Sequence, residues 1–137
     1  NKHSGLLGLS GYAADMRDLI AEAEDGDKRS KEAIDVFCYR AKKYIGSYIA
    51  TLNGVDAIIF TGGIGENSTL IRSKILSDMD SLGIEIDEAK NKLSGENPLI
   101  STQNSKVGVY VIPTNEELVI AIDSAKIATT SKQTPWA

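Results

Sequence analysis

Residues 56–68 read DAIIFTGGIGENS, in which a short apolar run leads into three glycines within four positions and then into polar residues. An unbroken apolar run of this length is typical of a strand that is covered on both faces. The pattern predicts a strand over Asp56–Phe60, a glycine turn over Thr61–Gly65 and a helix over Asn67–Leu82. Ligands of open α/β sheets bind at the carboxyl ends of strands, which is where this turn lies.

A second unit of the same kind follows later in the chain. Alternating apolar residues predict a strand over Lys106–Ile112, and Pro113-Thr114-Asn115 turns the chain into a helix over Glu116–Ala128. Two strand–turn–helix units in series indicate an α/β fold in which parallel strands deliver both turns to one edge. The remaining elements are predicted as a loop or short strand over Ser4–Gly11, helices over Ala13–Ala23 and Lys28–Leu52, a brief strand over Gly83–Asp87 and a helical turn over Ala89–Leu93.

Composition excludes several classes of protein. The 137 residues are enough for one domain, and 42% hydrophobic with 25% charged residues is typical of a soluble globular chain. The net charge of −4 argues against a nucleic-acid partner, and no apolar run reaches the roughly 18–20 residues of a membrane span.

Cys38 is the single cysteine, so a reducing cytoplasm is expected. A start at Asn1, without methionine or signal-peptide pattern, predicts a fragment whose residues 129–137 form a flexible tail.

The glycine turn has two readings. Glycines let a backbone approach an anionic or flat ligand, and the helix that follows offers unpaired amide hydrogens. On this view a bulky residue at Gly65 would lower ligand affinity with little loss of folding. The spacing matches neither the dinucleotide-binding fingerprint nor the Walker P-loop. A tight turn that binds nothing therefore remains the alternative interpretation.

The second turn and the first helix carry weaker signals. Thr114 and Glu117 are spaced as a capping box, which leaves Glu116 free either to hold Mg²⁺ or to complement the helix dipole. Asp15-Met16-Arg17-Asp18 opens the first helix, where an Asp–Arg pair can bind a ribose or stack on a base. A solvated, capping face is the alternative for these charges.

Taken together, these segments resemble the acetate kinase family. The resemblance covers Ser4–Gly11, Asp15–Asp18, Phe60–Ser68 and Pro113–Leu118, in the order in which the family's C-terminal part has them. It implies the fold of the acetate and sugar kinase, Hsp70 and actin superfamily, in which nucleotide binds between two ribonuclease-H-like domains. The chain is then a single domain over residues 1–137: an incomplete second domain, with a mixed sheet and helical cover.

The resemblance also implies an activity and its residues. Acetate kinases transfer a phosphoryl group between ATP and acetate, giving ADP and acetyl phosphate, with Mg²⁺ or Mn²⁺. No catalytic residue can be assigned, because the family's catalytic motifs lie upstream of Asn1 and His3 is no substitute, so the fragment alone is expected to be inactive. Carried over position by position, the adenosine contacts are Asp15, Met16, Arg17, Gly63, Ile64, Gly65, Glu66 and Asn67, and the metal ligand is Glu116.

Partners follow from the same resemblance. A cytoplasmic homodimer is expected, in which Tyr39, Tyr44, Tyr48 and Ile49 of the long helix supply part of the contact. Two alternatives remain: a non-catalytic nucleotide-binding or dimerisation module of the same fold, and a propionate or butyrate kinase.

Overall fold

The structure is a computed structural model that describes residues 3–93 and 98–131, with residues 116, 130 and 131 described by their backbone alone. Within these described residues, three helices precede the first strand, and three further helices with a short 3₁₀ turn separate it from the second. In order, the elements are α1 Gly5–Ser10, α2 Met16–Glu24, α3 Lys28–Leu52, β1 Ala57–Phe60, α4 Gly62–Asn67, α5 Thr69–Leu76, a 3₁₀ turn Asp80–Leu82, α6 Glu88–Lys92, β2 Gly108–Val111 and α7 Glu116–Ser131.

The two strands pair in parallel, which confirms the predicted α/β arrangement. Their register runs from Ala57 opposite Gly108 to Phe60 opposite Val111. Just beyond the strands, the Ile112 amide donates to the Phe60 carbonyl at 2.9 Å. The turns after β1 and β2 therefore leave the same edge of the sheet, as parallel strands require.

The core lies between the sheet and helices α2, α3 and α5. Its apolar side chains that are at most 2% exposed are Leu19, Ala33, Ile34, Ile71, Ile84, Ile100 and Val109. Helix α3 has the predicted bounds. Asp27 caps its N-terminus, with the carboxylate accepting from the Ser30 amide at 2.7 Å, and left-handed Asn53 caps its C-terminus.

Two local predictions are wrong at glycines. Residues 5–10 form helix α1 rather than a loop or strand, and Gly11 ends it in the left-handed conformation while donating to the Leu7 carbonyl at 2.8 Å. Gly8 inside α1 fits because a Cβ there would lie 2.6 Å from the His3 carbonyl oxygen. The predicted glycine turn is likewise mostly helical, since α4 begins at Gly62.

Helix α5 is shorter than predicted. It ends at Leu76, because Ser77 is extended and Asp78 takes a left-handed φ of 55°. Met79 beyond the helix is still buried. The brief strand expected near residues 83–87 is reduced to a single antiparallel bridge between Ile86 and Ser101.

The last helix and the C-terminal half of α3 carry exposed apolar side chains among polar ones. Tyr44, Tyr48 and Leu52 of α3 are 57–66% exposed. Ile49, in contrast, packs against the core.

Of the predicted tail, residues 129–131 continue α7, and residues 132–137 lie outside the described residues. None of the described helices is both long and apolar enough to cross a membrane. Exposed apolar side chains of α7 are Leu118, Val119, Ile120, Ile122 and Ile127.

Candidate functional site

A cleft of about 840 Å³ lies between the start of α2 and helix α4. It brings together two predicted groups of site residues that are far apart in sequence. Asp15, Met16 and Arg17 line one wall, and Gly63, Ile64 and Asn67 line the other. Ala14, Ile20 and Ser68 complete the lining.

The first wall is ordered by a salt bridge within one turn. Asp15 is the N-cap of α2, and its Oδ1 accepts from the Arg17 amide at 2.9 Å and from Arg17 Nε at 3.1 Å. Its Oδ2 accepts from Arg17 Nη2 at 2.7 Å, which completes a two-pronged pair. These hydrogen bonds, first those from the Arg17 side chain, lower the pKa of Asp15 to about 2. The Arg17 side chain remains 88% exposed, so its planar face is available to a ligand ring.

The second wall exposes main chain at Gly63. A Cβ built on Gly63 would meet no atom within 4 Å, so a ligand can reach the main chain of α4 at this position. Asn67 Nδ2 donates to the Gly63 carbonyl at 2.9 Å and so holds its side chain along the helix. Ile64, which packs against the core, and Met16 add apolar surface between the polar groups.

Gly65 and Glu66, which were predicted for the same loop, do not line the cleft. A Cβ on Gly65 would lie 3.3 Å from the Phe60 carbonyl carbon, so this glycine allows α4 to pack on β1. Glu66 Oε1 accepts from the Gly62 amide at 2.8 Å, from the Thr114 amide at 2.8 Å and from Thr114 Oγ1 at 3.0 Å. The Thr114 amide is the main cause of the lowered pKa of Glu66.

The predicted capping box at the start of α7 is wrong. Asn115 caps this helix, with Oδ1 accepting from the Leu118 amide at 3.0 Å. The Thr114 hydroxyl is bonded to Glu66 instead, so a tertiary partner displaces the local pairing with Glu117. Glu116 begins α7, but its side chain lies outside the described residues, and its metal role stays a prediction.

The described side chains include no metal cage and no reactive thiol at the cleft. Within residues 3–93 and 98–131, no group of three or more His, Cys, Asp or Glu side chains is placed to hold a metal ion. Cys38 is buried, and burial raises the pKa of its thiol, as expected for a packing residue.

Two buried polar residues behind α4 were missed by sequence reasoning. Arg72, 1% exposed, donates through Nη1 to the Gly65 and Glu66 carbonyls, both at 2.8 Å. Its Nε and Nη2 donate to Asn91 Oδ1 at 2.6 Å and to the Asn91 carbonyl at 2.8 Å. A signal was present, because Arg72 is three and four residues before the inward-facing Ile75 and Leu76, where a charge needs partners.

The fold and cleft together define a class: an α/β domain with an open cleft beside the turn that follows the first of two parallel strands. Within that class, the sequence profile of the acetokinase family matches residues 1–122. This chain belongs to the acetokinase family.

Individual relatives agree with this assignment. The chain is 56% identical to acetate kinase of Methanosarcina acetivorans over 130 residues, which is 95% of this chain and 32% of that protein. It is 54% identical to acetate kinase of Acetivibrio thermocellus over 127 residues, or 93% and 32% of the two chains. The chain thus spans about a third of the length of the curated relatives it matches.

Solved structures give the same picture. Porphyromonas gingivalis acetate kinase superposes with a TM-score of 0.81 at 41% identity, covering 93% of this chain and 32% of that one. A propionate kinase from Francisella tularensis superposes with a TM-score of 0.78 at 45% identity, covering 87% and 30%.

Proposed function

We propose that this chain is the C-terminal, nucleotide-binding segment of a longer acetate kinase with a ribonuclease-H-like fold. In that enzyme it holds ATP or ADP while a phosphoryl group passes between ATP and acetate. The observation that carries the proposal is that Asp15–Arg17 and Gly63–Asn67 face each other across one cleft. The relatives that match the chain are kinases for short carboxylic acids, which supports the reaction class.

The two walls suit the two halves of adenosine. The exposed Arg17 guanidinium, fixed by Asp15, offers a flat cation on which an adenine ring can stack. Met16, Ile20 and Ile64 offer apolar contact to the same ring. Gly63, without a side chain, lets the sugar or the phosphates approach the backbone of α4.

The proposed metal ligand is Glu116, at the start of α7. The amide of Thr114, two residues earlier, is 2.8 Å from Glu66 of α4, so α7 begins at the same sheet edge as the cleft. Nucleotide-bound Mg²⁺ usually takes one or two carboxylates together with phosphate oxygens and waters, so one carboxylate from this chain fits. Mg²⁺, or Mn²⁺, when bound, supplies charge neutralisation at the phosphates.

Turnover requires more than this segment. Phosphoryl transfer depends on positive donors on both sides of the transferred group, and the residues assigned here serve the adenosine side and one metal ligand. We therefore propose that the 137-residue chain alone binds nucleotide without catalysis. We also propose a cytoplasmic homodimer of the whole enzyme, in which the exposed Tyr39, Tyr44 and Tyr48 take part.

The test compares two exposed arginines in the full-length enzyme. Arg17→Ala removes the stacking cation and should raise the KM for ATP by about tenfold, the loss of one cation–π contact with its orienting pair. Arg29→Ala, on α3 and outside the cleft, is the matched control and should leave that KM unchanged. Equal KM values for the two variants would contradict the proposed site.

A propionate kinase is the second candidate, because one solved neighbour bears that name. The ratio of kcat/KM for acetate and propionate in the full-length enzyme separates the two. A non-catalytic module would instead show nucleotide binding without phosphoryl transfer to either acid.

A further inference from the structure

One carboxylate oxygen joins the two turns that carry the proposed site. Oε1 of Glu66 accepts three hydrogen bonds, from the Gly62 amide at 2.8 Å and from the amide and hydroxyl of Thr114 at 2.8 and 3.0 Å. Gly62 begins α4, and Thr114 immediately precedes the Asn115 cap of α7. The link therefore bridges 48 positions of sequence at the sheet edge.

The C-terminal end of α4 is held by hydrogen bonds from the buried Arg72. Arg72 Nη1 lies 2.8 Å from the carbonyl of Glu66 itself and 2.8 Å from that of Gly65. Asn91, fully buried, fixes Arg72 and in turn donates to Ser73 Oγ at 2.9 Å and to the Thr69 carbonyl at 3.1 Å. Glu66 is thus fixed through its backbone and through its carboxylate.

The same carboxylate explains how six residues rich in glycine form a helix. The Thr61 side chain makes no cap, and the Glu66 side chain reaches back to the first amide of α4. A negative charge at a helix N-terminus is favourable, and the lowered pKa of Glu66 keeps that charge in place. The carboxylate has then no free role as a cleft wall, in agreement with its absence from the lining.

We propose that Glu66 is a positioning residue that holds α4 in register with the start of α7, so that the adenosine contacts and Glu116 meet the same nucleotide. The inference rests on the proposed function, since it assigns α4 to nucleotide and α7 to the metal. Glu66 acts through the Thr114 link rather than by touching the nucleotide. Displacements of about 1 Å between such groups can lower a phosphoryl-transfer rate by up to about 100-fold.

Two pairs of variants isolate this link. The Gly62 amide and the amide and hydroxyl of Thr114 reach one oxygen, so Glu66→Gln can keep these three hydrogen bonds, whereas Glu66→Ala removes them. Thr114→Ser keeps the hydroxyl donor, and Thr114→Val removes it while leaving the amide. In each pair the conservative change is the matched control for the disruptive one.

The variants are compared in the full-length kinase by three measurements. They are kcat and KM for ATP over a Mg²⁺ series, the affinity for ADP without Mg²⁺, and hydrogen exchange of the peptide over residues 111–118. Glu66→Ala should lower kcat by about 10- to 100-fold and raise the Mg²⁺ concentration for half-maximal rate, with metal-free ADP affinity changed less than about threefold. Exchange at residues 111–118 should rise about tenfold, because the Thr114 amide loses its acceptor.

The expected pattern continues in the controls. Glu66→Gln and Thr114→Ser should keep more than about half of the wild-type kcat, since the hydrogen bonds remain. Adding Thr114→Val to Glu66→Ala should cost little more, because the hydroxyl has already lost its partner. If Glu66→Ala does not fold, Thr114→Val against Thr114→Ser gives the comparison, with a lower kcat expected for the valine.

Three outcomes overturn the inference. The first is an equal kcat for Glu66→Ala and Glu66→Gln or, where Glu66→Ala does not fold, for Thr114→Val and Thr114→Ser. The second is unchanged hydrogen exchange at residues 111–118 in Glu66→Ala. The third is a double variant whose loss of kcat is the full product of the two single losses. Failure of the proposed function looks different, since wild-type enzyme would then bind no ADP and transfer no phosphoryl group.

Discussion

Two glycines of the same short helix are predicted to respond in opposite ways to an added side chain. Gly65→Val places a Cβ 3.3 Å from the Phe60 carbonyl carbon and 3.4 Å from Phe60 Cβ, with two further methyl groups behind it. The backbone of a paired strand cannot move aside cheaply, so the overpacking should cost about 1–3 kcal/mol of unfolding free energy. A protein with a stability near 10 kcal/mol loses a measurable fraction of it.

Gly63→Ala is expected to have the opposite effect on stability. Nothing lies within 4 Å of its built Cβ, and its φ is outside the left-handed region. Replacing glycine by alanine inside a helix should therefore raise the unfolding free energy by about 0.5–1 kcal/mol. The new methyl group enters the cleft, so the affinity for nucleotide should fall although the protein becomes more stable.

The assay is urea unfolding together with ADP titration calorimetry on the full-length enzyme. From sequence alone, loss of affinity without loss of folding is expected for a substitution at Gly65. From the structure, the same result is expected at Gly63 instead. A Gly65→Val protein as stable as wild type would refute the packing argument. A Gly63→Ala protein that is destabilised, or that binds ADP as well as wild type, would refute the assignment of this wall.

The other predictions concern single side chains. Arg72→Met leaves the Gly65 and Glu66 carbonyls and Asn91 without their donor, so unfolding free energy should fall by about 3 kcal/mol or more in urea melts, with only partial recovery in Arg72→Lys. Asp15 has a folded pKa of about 2, below its unfolded value near 4, so its stabilising contribution is complete above about pH 4 and is lost as the pH falls through about 2. Carbon-13 NMR of the Asp15 carboxyl should show that midpoint, and Arg17→Ala should raise it; an unshifted midpoint in the variant would contradict the pair. Asn115→Ala should lower the unfolding free energy by about 1 kcal/mol through loss of the α7 cap, whereas Glu117→Ala should leave the melting temperature nearly unchanged. A larger loss of stability in Glu117→Ala than in Asn115→Ala would instead support a capping box of Thr114 and Glu117.

The sequence was sufficient where a feature depends on local pattern. Period and capping residues predict α3 from Lys28 to Leu52, and two strand–turn–helix units predict the parallel pair. Residue spacing alone leaves Asp15, Arg17 and the glycine segment with two readings each. The family resemblance predicts that these groups belong to one site, and the structure places them around one cleft.

The sequence was insufficient where a distant partner decides. Thr114 and Asn115 are adjacent and both are good N-caps, so nothing local shows that Glu66, 48 positions away, takes Thr114 and leaves the cap to Asn115. Glycines near residues 5–11 and 62–65 indicate loops by propensity. Close packing of Gly8 on His3 and of Gly65 on Phe60 instead accommodates them in helices, a tertiary effect that propensity does not contain.

A crystal structure of the full-length enzyme with ADP would show directly where the adenosine binds. We expect adenine in the cleft beside the Arg17 guanidinium, with the nucleotide passing along the exposed backbone at Gly63. ADP bound elsewhere, with this cleft empty at saturating nucleotide, would contradict it.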